Sequence, residues 1–315
     1  MNRTQASINS TDISPLGAVA FTKMQALGND FVFVEESQLS ATTTGKLIVR
    51  DFSAQGAVLA RALCDRHFGI GADGLIVVRK PTRSDCQVSW LYFNGDGSIS
   101  SMCGNGLRCL GLYAATRQLV TGLSFNIETA VGPVPVVVVD SSTITTDLGE
   151  PILEAHKVPV AGKGKDKIVN QPIVVGGQQL AATCVSMGNP HCVLFDTRLD
   201  EAQWRHLAPQ IQQMQLFPEG VNVEFVEVAT RARARVFVWE RGCGPTLACA
   251  SGAAAVLVAG VLEGRLDRSA VIELPGGSLM VQWDEKDHHV RMTGSAKFAF
   301  SGTFDIDAYW PGEQG

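Results

Sequence analysis

Several features are missing from this chain, and each absence removes a class of function. Its 315 residues carry 26 Lys and Arg against 31 Asp and Glu, a net charge of −5. That leaves no broad basic field to attract nucleic acid or an anionic membrane. The longest uncharged apolar run, Ala253 to Leu262, is far too short to cross a bilayer. The eight cysteines, at 64, 86, 103, 109, 184, 192, 243 and 249, include no C-x-x-C pair, so metal centres and thioredoxin-like motifs have no support. The run Phe68-Gly69-Ile70-Gly71-Ala72-Asp73-Gly74 is not a dinucleotide fingerprint, because it leads into a strand and lacks the G-x-G-x-x-G spacing. Residues 1–17 are polar and turn-rich, with Arg3 their one basic residue. They lack the apolar core of a signal peptide and read as a disordered extension. A cytoplasmic protein without a disulfide framework is the expectation.

What is present fits a globular protein: 45% hydrophobic and 18% charged residues, in a length sufficient for two domains. Two stretches organise it. Met102-Cys103-Gly104-Asn105-Gly106-Leu107-Arg108 and Ala248-Cys249-Ala250-Ser251-Gly252-Ala253 each place a cysteine on a small-residue turn that runs into an apolar, helix-like segment. A thiol at the mouth of a helix feels the unpaired N–H groups there, and its pKa is expected to fall from about 8.5 toward neutrality. Cys64, Cys86, Cys109, Cys184 and Cys192 read as small buried apolar residues.

Residues 19–35 read as a hairpin with Asn29 and Asp30 at its tip, which ordinary turn chemistry explains without any function. Ser53 is the expected cap of a helix reaching to about His67. A strand at 88–93 ends in Asn94-Gly95-Asp96-Gly97 before the first cysteine turn. The second half repeats this arrangement. Gly188-Asn189-Pro190-His191 follows a strand, Asp200 to Met214 reads as a helix, and a strand at 235–240 ends at Arg241-Gly242 before the second cysteine turn. The domains are therefore expected at 18–147, carrying Cys103, and 148–294, carrying Cys249, with a tail, 295–312, returning to the first.

Inverting a carbon that bears hydrogen requires a proton to leave one face and another to arrive on the opposite face. Two thiols on opposite walls, one ionised and one protonated, perform this without moving around the substrate, and their titrations are coupled. Backbone N–H groups of Gly104, Asn105, Ala250 and Ser251 would converge on an α-carboxylate between the helices and stabilise the charge that develops there. No cofactor is then required. Lys23, Lys46, Lys80 and the lysines of 157–167 all read as solvated, which gives no context for a pyridoxal-phosphate lysine. Asn29, Asn94, Asn189, Asn222 and Arg241 lie at turn tips; each alone is a turn or surface residue, and together they resemble a reader of a second amino-acid head group. His191 and Glu240 are the candidates for tuning the thiols.

These residues carry a resemblance to the diaminopimelate epimerase family, from about residue 21 to 302. It rests on Leu27-Gly28-Asn29-Asp30-Phe31, Asp65-Arg66-His67, Gly69-Ile70-Gly71-Ala72-Asp73, Phe93-Asn94, Met102-Cys103-Gly104-Asn105-Gly106, Gly188-Asn189-Pro190-His191, Val221-Asn222-Val223, Glu240-Arg241-Gly242 and Ala248-Cys249. The resemblance implies an α/β (α+β) fold of two pseudo-symmetric domains, each a curved mixed sheet around a central helix. It implies cofactor-independent conversion of LL-2,6-diaminopimelate to the meso form, for lysine and peptidoglycan synthesis, commonly by a homodimer. It gives Cys249 the role of base toward the LL substrate and Cys103 that of donor on the opposite face. Asn29, Asn94, Asn189, Asn222, Glu240 and Arg241 match substrate-binding positions; His191 and Glu240 match positions that modulate the thiols. Alternatives are another racemase of the same fold, proline racemase-like, or a non-catalytic amino-acid-binding relative.

Four positions depart from the family pattern. Ala250 replaces a usual glycine, Gly74 a glutamine that touches substrate, Pro245 a glutamate, and Phe300 a tyrosine linked to dimer formation. Cys243 is an extra thiol whose expected place is in buried packing.

Overall fold

The structure is a computed structural model describing residues 17–162, 164, 166–195 and 200–309. The expected extension, apart from Gly17, lies outside the described residues, as do Lys163, Lys165 and the last three residues of the expected tail.

One strand pattern occurs twice. In the first half it runs through Ala18–Ala26, Asn29–Glu35, Gly74–Arg79, Val88–Asn94, Ser124–Thr129, Gly132–Val138 and Thr143–Asp147. Successive neighbours pair antiparallel, parallel, antiparallel, parallel, antiparallel and antiparallel. Gln178–Ser186, Pro190–Phe195, Asn222–Thr230, Arg233–Glu240, Ser269–Leu274, Gly277–Trp283 and Val290–Ser295 repeat that order of directions. Each half inserts a long helix after its second strand, Phe52–Cys64 (preceded by the shorter helices Glu36–Leu39 and Thr43–Arg50) or Glu201–Gln212, and another after its fourth, Gly104–Thr116 or Ala250–Leu262. The final strands of the two halves pair antiparallel, and the hydroxyls of the directly opposed Thr145 and Thr293 meet at 2.7 Å. Lys297–Asp305 then pairs with Ala18–Ala26.

The helix Ala250–Leu262 is apolar on every side and buried over most of its length. Such a helix belongs inside a core rather than on a surface. Its counterpart Gly104–Thr116 is buried from Gly104 to Ala114. Each lies within the apolar cluster of its own half, while Phe52–Cys64 and Glu201–Gln212 cover the other face of each sheet with a second cluster. Among the described residues no helix is long and apolar enough to cross a membrane.

Two local readings change. The helix after the first hairpin spans Phe52–Cys64 and is capped by Asp51, which accepts from the Ala54 N–H at 3.3 Å; Ser53 instead donates its hydroxyl to Asp51. The hairpin tip is Leu27-Gly28, with φ of 55° and 86°, and Asn29 already opens the next strand. A two-residue hairpin loop with positive φ at both positions suits Gly28. For Leu27 it costs on the order of 1–2 kcal/mol, offset because the Leu27 side chain is buried in the core cluster of the second half.

The paired strands leave little room. A methyl group on Gly294 would lie 2.3 Å from Leu279 Cδ2 and 3.3 Å from Arg108 Nε. Gly294→Ala is expected to destabilise the fold by about 1–3 kcal/mol through overpacking, lowering the thermal midpoint by several degrees. An unchanged midpoint would show that Leu279 can swing clear at no cost.

Candidate active site

Both cysteines are helix N-caps. Cys103, with φ −150° and ψ 105°, precedes Gly104–Thr116, and its Sγ accepts from the Gly106 N–H at 3.4 Å. Cys249, with φ −113° and ψ 111°, precedes Ala250–Leu262, and its Sγ accepts from the Gly252 N–H at 3.4 Å. The thiol thus occupies the place usually taken by a Ser, Thr or Asp oxygen. The helix ends abut: a methyl group on Gly104 would lie 2.7 Å from the Ala250 Cβ. Ala250 is the first residue of its helix and is not among the residues of positive φ. The departure from glycine therefore carries no backbone strain and leaves its N–H in place.

Burial reverses the expected direction of the thiol pKa values. Desolvation pushes Cys103 up to about 11, against the N–H groups of Gly106 and Asn105 and the charge of Arg108; Glu240 adds to the rise. Cys249 is pushed well above its ordinary value by burial, then by Glu240 and Glu224. The partial charge of a helix end is worth a fraction of a kcal/mol to about 2, less than the cost of an anion hemmed in by protein on most sides, with Cys249 buried and Cys103 half-buried. Glu240 is itself pushed up by burial, while a hydrogen bond from the Thr246 hydroxyl, the charge of His191 and a contact with Cys249 work the other way. One carboxylate therefore acts on both thiols. His191 is fully buried, with Nδ1 2.7 Å from Glu224 Oε1 and Nε2 2.9 Å from Asn189 Oδ1. It reaches the thiols through Glu240 and Glu224.

The expected polar set divides. The Asn29 Oδ1 accepts from Asn105 Nδ2 at 3.1 Å and lies 3.9 Å from Cys103 Sγ, while Asn29 Nδ2 donates to Asp73 at 2.8 Å. Asn105 Nδ2 also donates at 3.1 Å to the carbonyl of Ala248, the residue before Cys249. Asn29 and Asn105 thus tie the two cysteine turns together. Asn222 is buried and braces loops, donating to Pro190 O and accepting from the Arg241 N–H. Asn94 donates to Ser98 Oγ at 2.8 Å. Arg241 is exposed, with one guanidinium nitrogen on Glu219 O at 2.8 Å. The Ser251 hydroxyl lies 3.5 Å from Cys249 Sγ.

Other expectations need correcting. Lys23 is buried rather than solvated, and its ammonium lies 2.8 Å from Asp30. Burial opposes charge on Asp30, but hydrogen bonds from Arg66 and Lys23 outweigh it and pull the carboxyl down to about 2. Cys243 is exposed rather than packed in a core; Cys64, Cys86, Cys109, Cys184 and Cys192 are buried as expected. At Gly74 a Cβ would lie 2.5 Å from the Tyr92 ring, so the glutamine of the family pattern has no room here. Glu224 and Arg108, both fully buried, join the site although no motif reading points to them. The signal available in the sequence is a charged residue at an inward position: Glu224 between the buried Val223 and Phe225, and Arg108 between the buried Leu107 and Cys109.

The doubled α/β fold thus closes two helix ends, each capped by a thiol, onto one another, and comparison with known proteins places it among isomerases of the epimerase class. The family model for diaminopimelate epimerase matches residues 21–154 and 183–299. The chain is 40% identical over 291 residues to the diaminopimelate epimerase of Acaryochloris marina, covering 91% of this chain and 99% of the relative. It is 39% identical over 295 residues to the chloroplastic enzyme of Oryza sativa subsp. japonica, covering 91% and 80%. This chain belongs to the diaminopimelate epimerase family. The fold is shared more widely: a hydroxyproline epimerase from Agrobacterium vitis superposes with a TM-score of 0.63 at 12% identity, over 91% of this chain and 92% of that one.

The contact between helix ends is open to a direct test. Gly104→Ala is expected to lower activity at least tenfold, because two methyl groups cannot share the space between the turns. Ala250→Gly is expected to retain activity within a few-fold. Combining them should restore most of what Gly104→Ala loses; a double variant no better than the single one would show that the turns do not touch in solution.

Proposed function

We propose that this chain interconverts LL- and meso-2,6-diaminopimelate by two-base proton transfer, with Cys249 and Cys103 on opposite faces of the α-carbon. The observation that carries this reading is the juxtaposition of two thiol-capped helix ends. The family relationship names the substrate. With the LL substrate, the Cys249 thiolate takes the α-proton and the Cys103 thiol delivers a proton to the other face. After turnover Cys249 is the thiol and Cys103 the thiolate. The first N–H groups of the two helices, at Gly104, Asn105, Ala250 and Ser251, hold the α-carboxylate and take up the charge that spreads onto it.

Asn29, Asn94, Asn189, Asn222, Glu240 and Arg241 form the substrate-binding set on this reading, and the exposed Arg241 is suited to the distal carboxylate. His191 and Glu240 modulate the thiols. The reaction needs no cofactor. The halves divide as domains at 18–147 and 148–294, with the returning tail completing the first. The working form is a cytoplasmic homodimer. Phe298 and Phe300, both exposed on the last strand with Phe300 edge-on to Phe21, are apolar surface of the kind such a contact covers.

Reduced protein is expected to exchange the α-proton of diaminopimelate for solvent deuterium without added pyridoxal phosphate; absence of exchange overturns the catalytic reading. Cys103→Ala and Cys249→Ala should each abolish epimerisation, and full activity in either would exclude a two-base mechanism. Because both thiols are pushed up and one must ionise, kcat/KM should climb with pH from the acid side through neutrality, by up to about tenfold per unit. A flat or falling profile there would contradict the need for a thiolate.

A further inference from the structure

Arg108 is the largest fully buried side chain among the described residues, and the two-thiol mechanism gives it no task. Its Nη2 donates to Asn105 Oδ1 at 2.6 Å, Nη1 to the Gly104 carbonyl at 3.3 Å, and Nε to the Ser295 carbonyl at 3.4 Å. Among the described residues no carboxylate pairs with it. A buried guanidinium normally recruits one, so this cation answers to something else. Burial pulls its pKa down to about 10, which still leaves it charged at neutral pH; the thiols of Cys109 and Cys103 oppose that fall.

The repeat shows how unequal the two thiol niches are. Counting from Gly104 and Ala250, Arg108 corresponds to Ala254, which is buried and apolar. In the sheets, Phe33 pairs with Ile76 where Val193 pairs with Glu224, so Glu224 corresponds to Ile76. Around Cys103 stand the Arg108 cation, the Tyr92 phenol, the Cys109 thiol and, across the cleft, Glu240. Around Cys249 stand Glu240 and Glu224, the latter bonded to His191, with the Ser251 hydroxyl. Glu224 Oε1 lies close under the turn, 2.8 Å from where a Cβ on Gly252 would sit, and its Oε2 has no hydrogen-bond partner among the described residues. An unpaired cation, Arg108, stands behind Cys103, whereas two carboxyl groups stand behind Cys249, one of them bonded to the His191 imidazole.

We propose that Arg108 is a positioning residue: it orients Asn105, which ties the two cysteine turns, and it places the buried positive charge that makes Cys103 lose its proton before Cys249 does. The inference rests on the two-thiol reading and adds to it an order of ionisation. A thiolate is favoured where a fixed cation offsets its desolvation and disfavoured where carboxylates add to it. On the face assignment given for the two thiols, turnover of the LL substrate from the Cys103-ionised form begins with a proton passing from the Cys249 thiol to the Cys103 thiolate. The meso form meets a base already in place.

The test is a thiol titration on substrate-free reduced protein: iodoacetamide alkylation across the neutral-to-alkaline range, with the modified cysteines located by peptide mass spectrometry. In the native protein the pH midpoint of Cys103 is expected below that of Cys249. Arg108→Met should raise the Cys103 midpoint by about one unit, a roughly tenfold slower alkylation at neutral pH, and leave Cys249 much less affected. Arg108→Lys, which restores the charge without the planar fork, should recover most of the Cys103 midpoint while still impairing turnover through Asn105. Cys249 titrating first in the native protein overturns the proposal whatever the variants do, as does an Arg108→Met that folds and shifts neither midpoint or both alike. The titration needs no turnover, so a protein that shows this order but no solvent exchange refutes the epimerase reading alone.

Discussion

The structure depends on one close approach, that of two helix N-termini at Gly104 and Ala250. Helix ends repel one another electrostatically, because each carries partial positive charge. Facing them across a gap is favourable only if something anionic is to sit between them. The rest of the fold serves that arrangement. Two runs of strands with the same order of directions, joined in one sheet, wrap two largely buried helices, and the paired strands at Thr145 and Thr293 set how the halves meet. The small residues in both turns allow the approach.

Closeness brings dryness, and dryness governs the chemistry. A thiol capping a solvated helix would become more acidic, whereas here both thiols become less acidic because desolvation outweighs the helix field. A high thiol pKa also makes a strong base once the proton is gone, as abstraction of a weakly acidic α-proton requires. The remaining control lies in the fixed charges nearby. Glu240 acts on both thiols, while Arg108 and Glu224 distinguish them. A site that is symmetric in its backbone is thereby asymmetric in its field.

Much of this is legible from sequence because the informative features are local. The cysteine turns, the helices behind them and the repeated order of strand, turn and cysteine all follow from patterns a few residues long. The misreadings share one cause. Asn29 reads as a hairpin tip because Gly-Asn-Asp has turn chemistry, whereas the turn falls on Leu27-Gly28, where burial of Leu27 in the other half of the molecule offsets the cost of its positive φ. Lys23 reads as solvated, yet Asp30 meets it across the hairpin. Ser53 has the chemistry of a cap, and Asp51 takes the role. Gly74 has the look of a lost contact, and the Tyr92 ring fills its place. Each outcome is decided by a partner distant in sequence or by competition between neighbours.

By itself the sequence determined the elements and the reactive groups: helix propensity, apolar periodicity and capping act within a few residues and are written in them. Only the tertiary structure decided how burial shifts each thiol, which partners hold each amide, and that a cation lies behind Cys103 while carboxyl groups lie behind Cys249. Desolvation and Coulomb energies depend on distances between atoms brought together by the whole fold, and no short stretch of chain contains them.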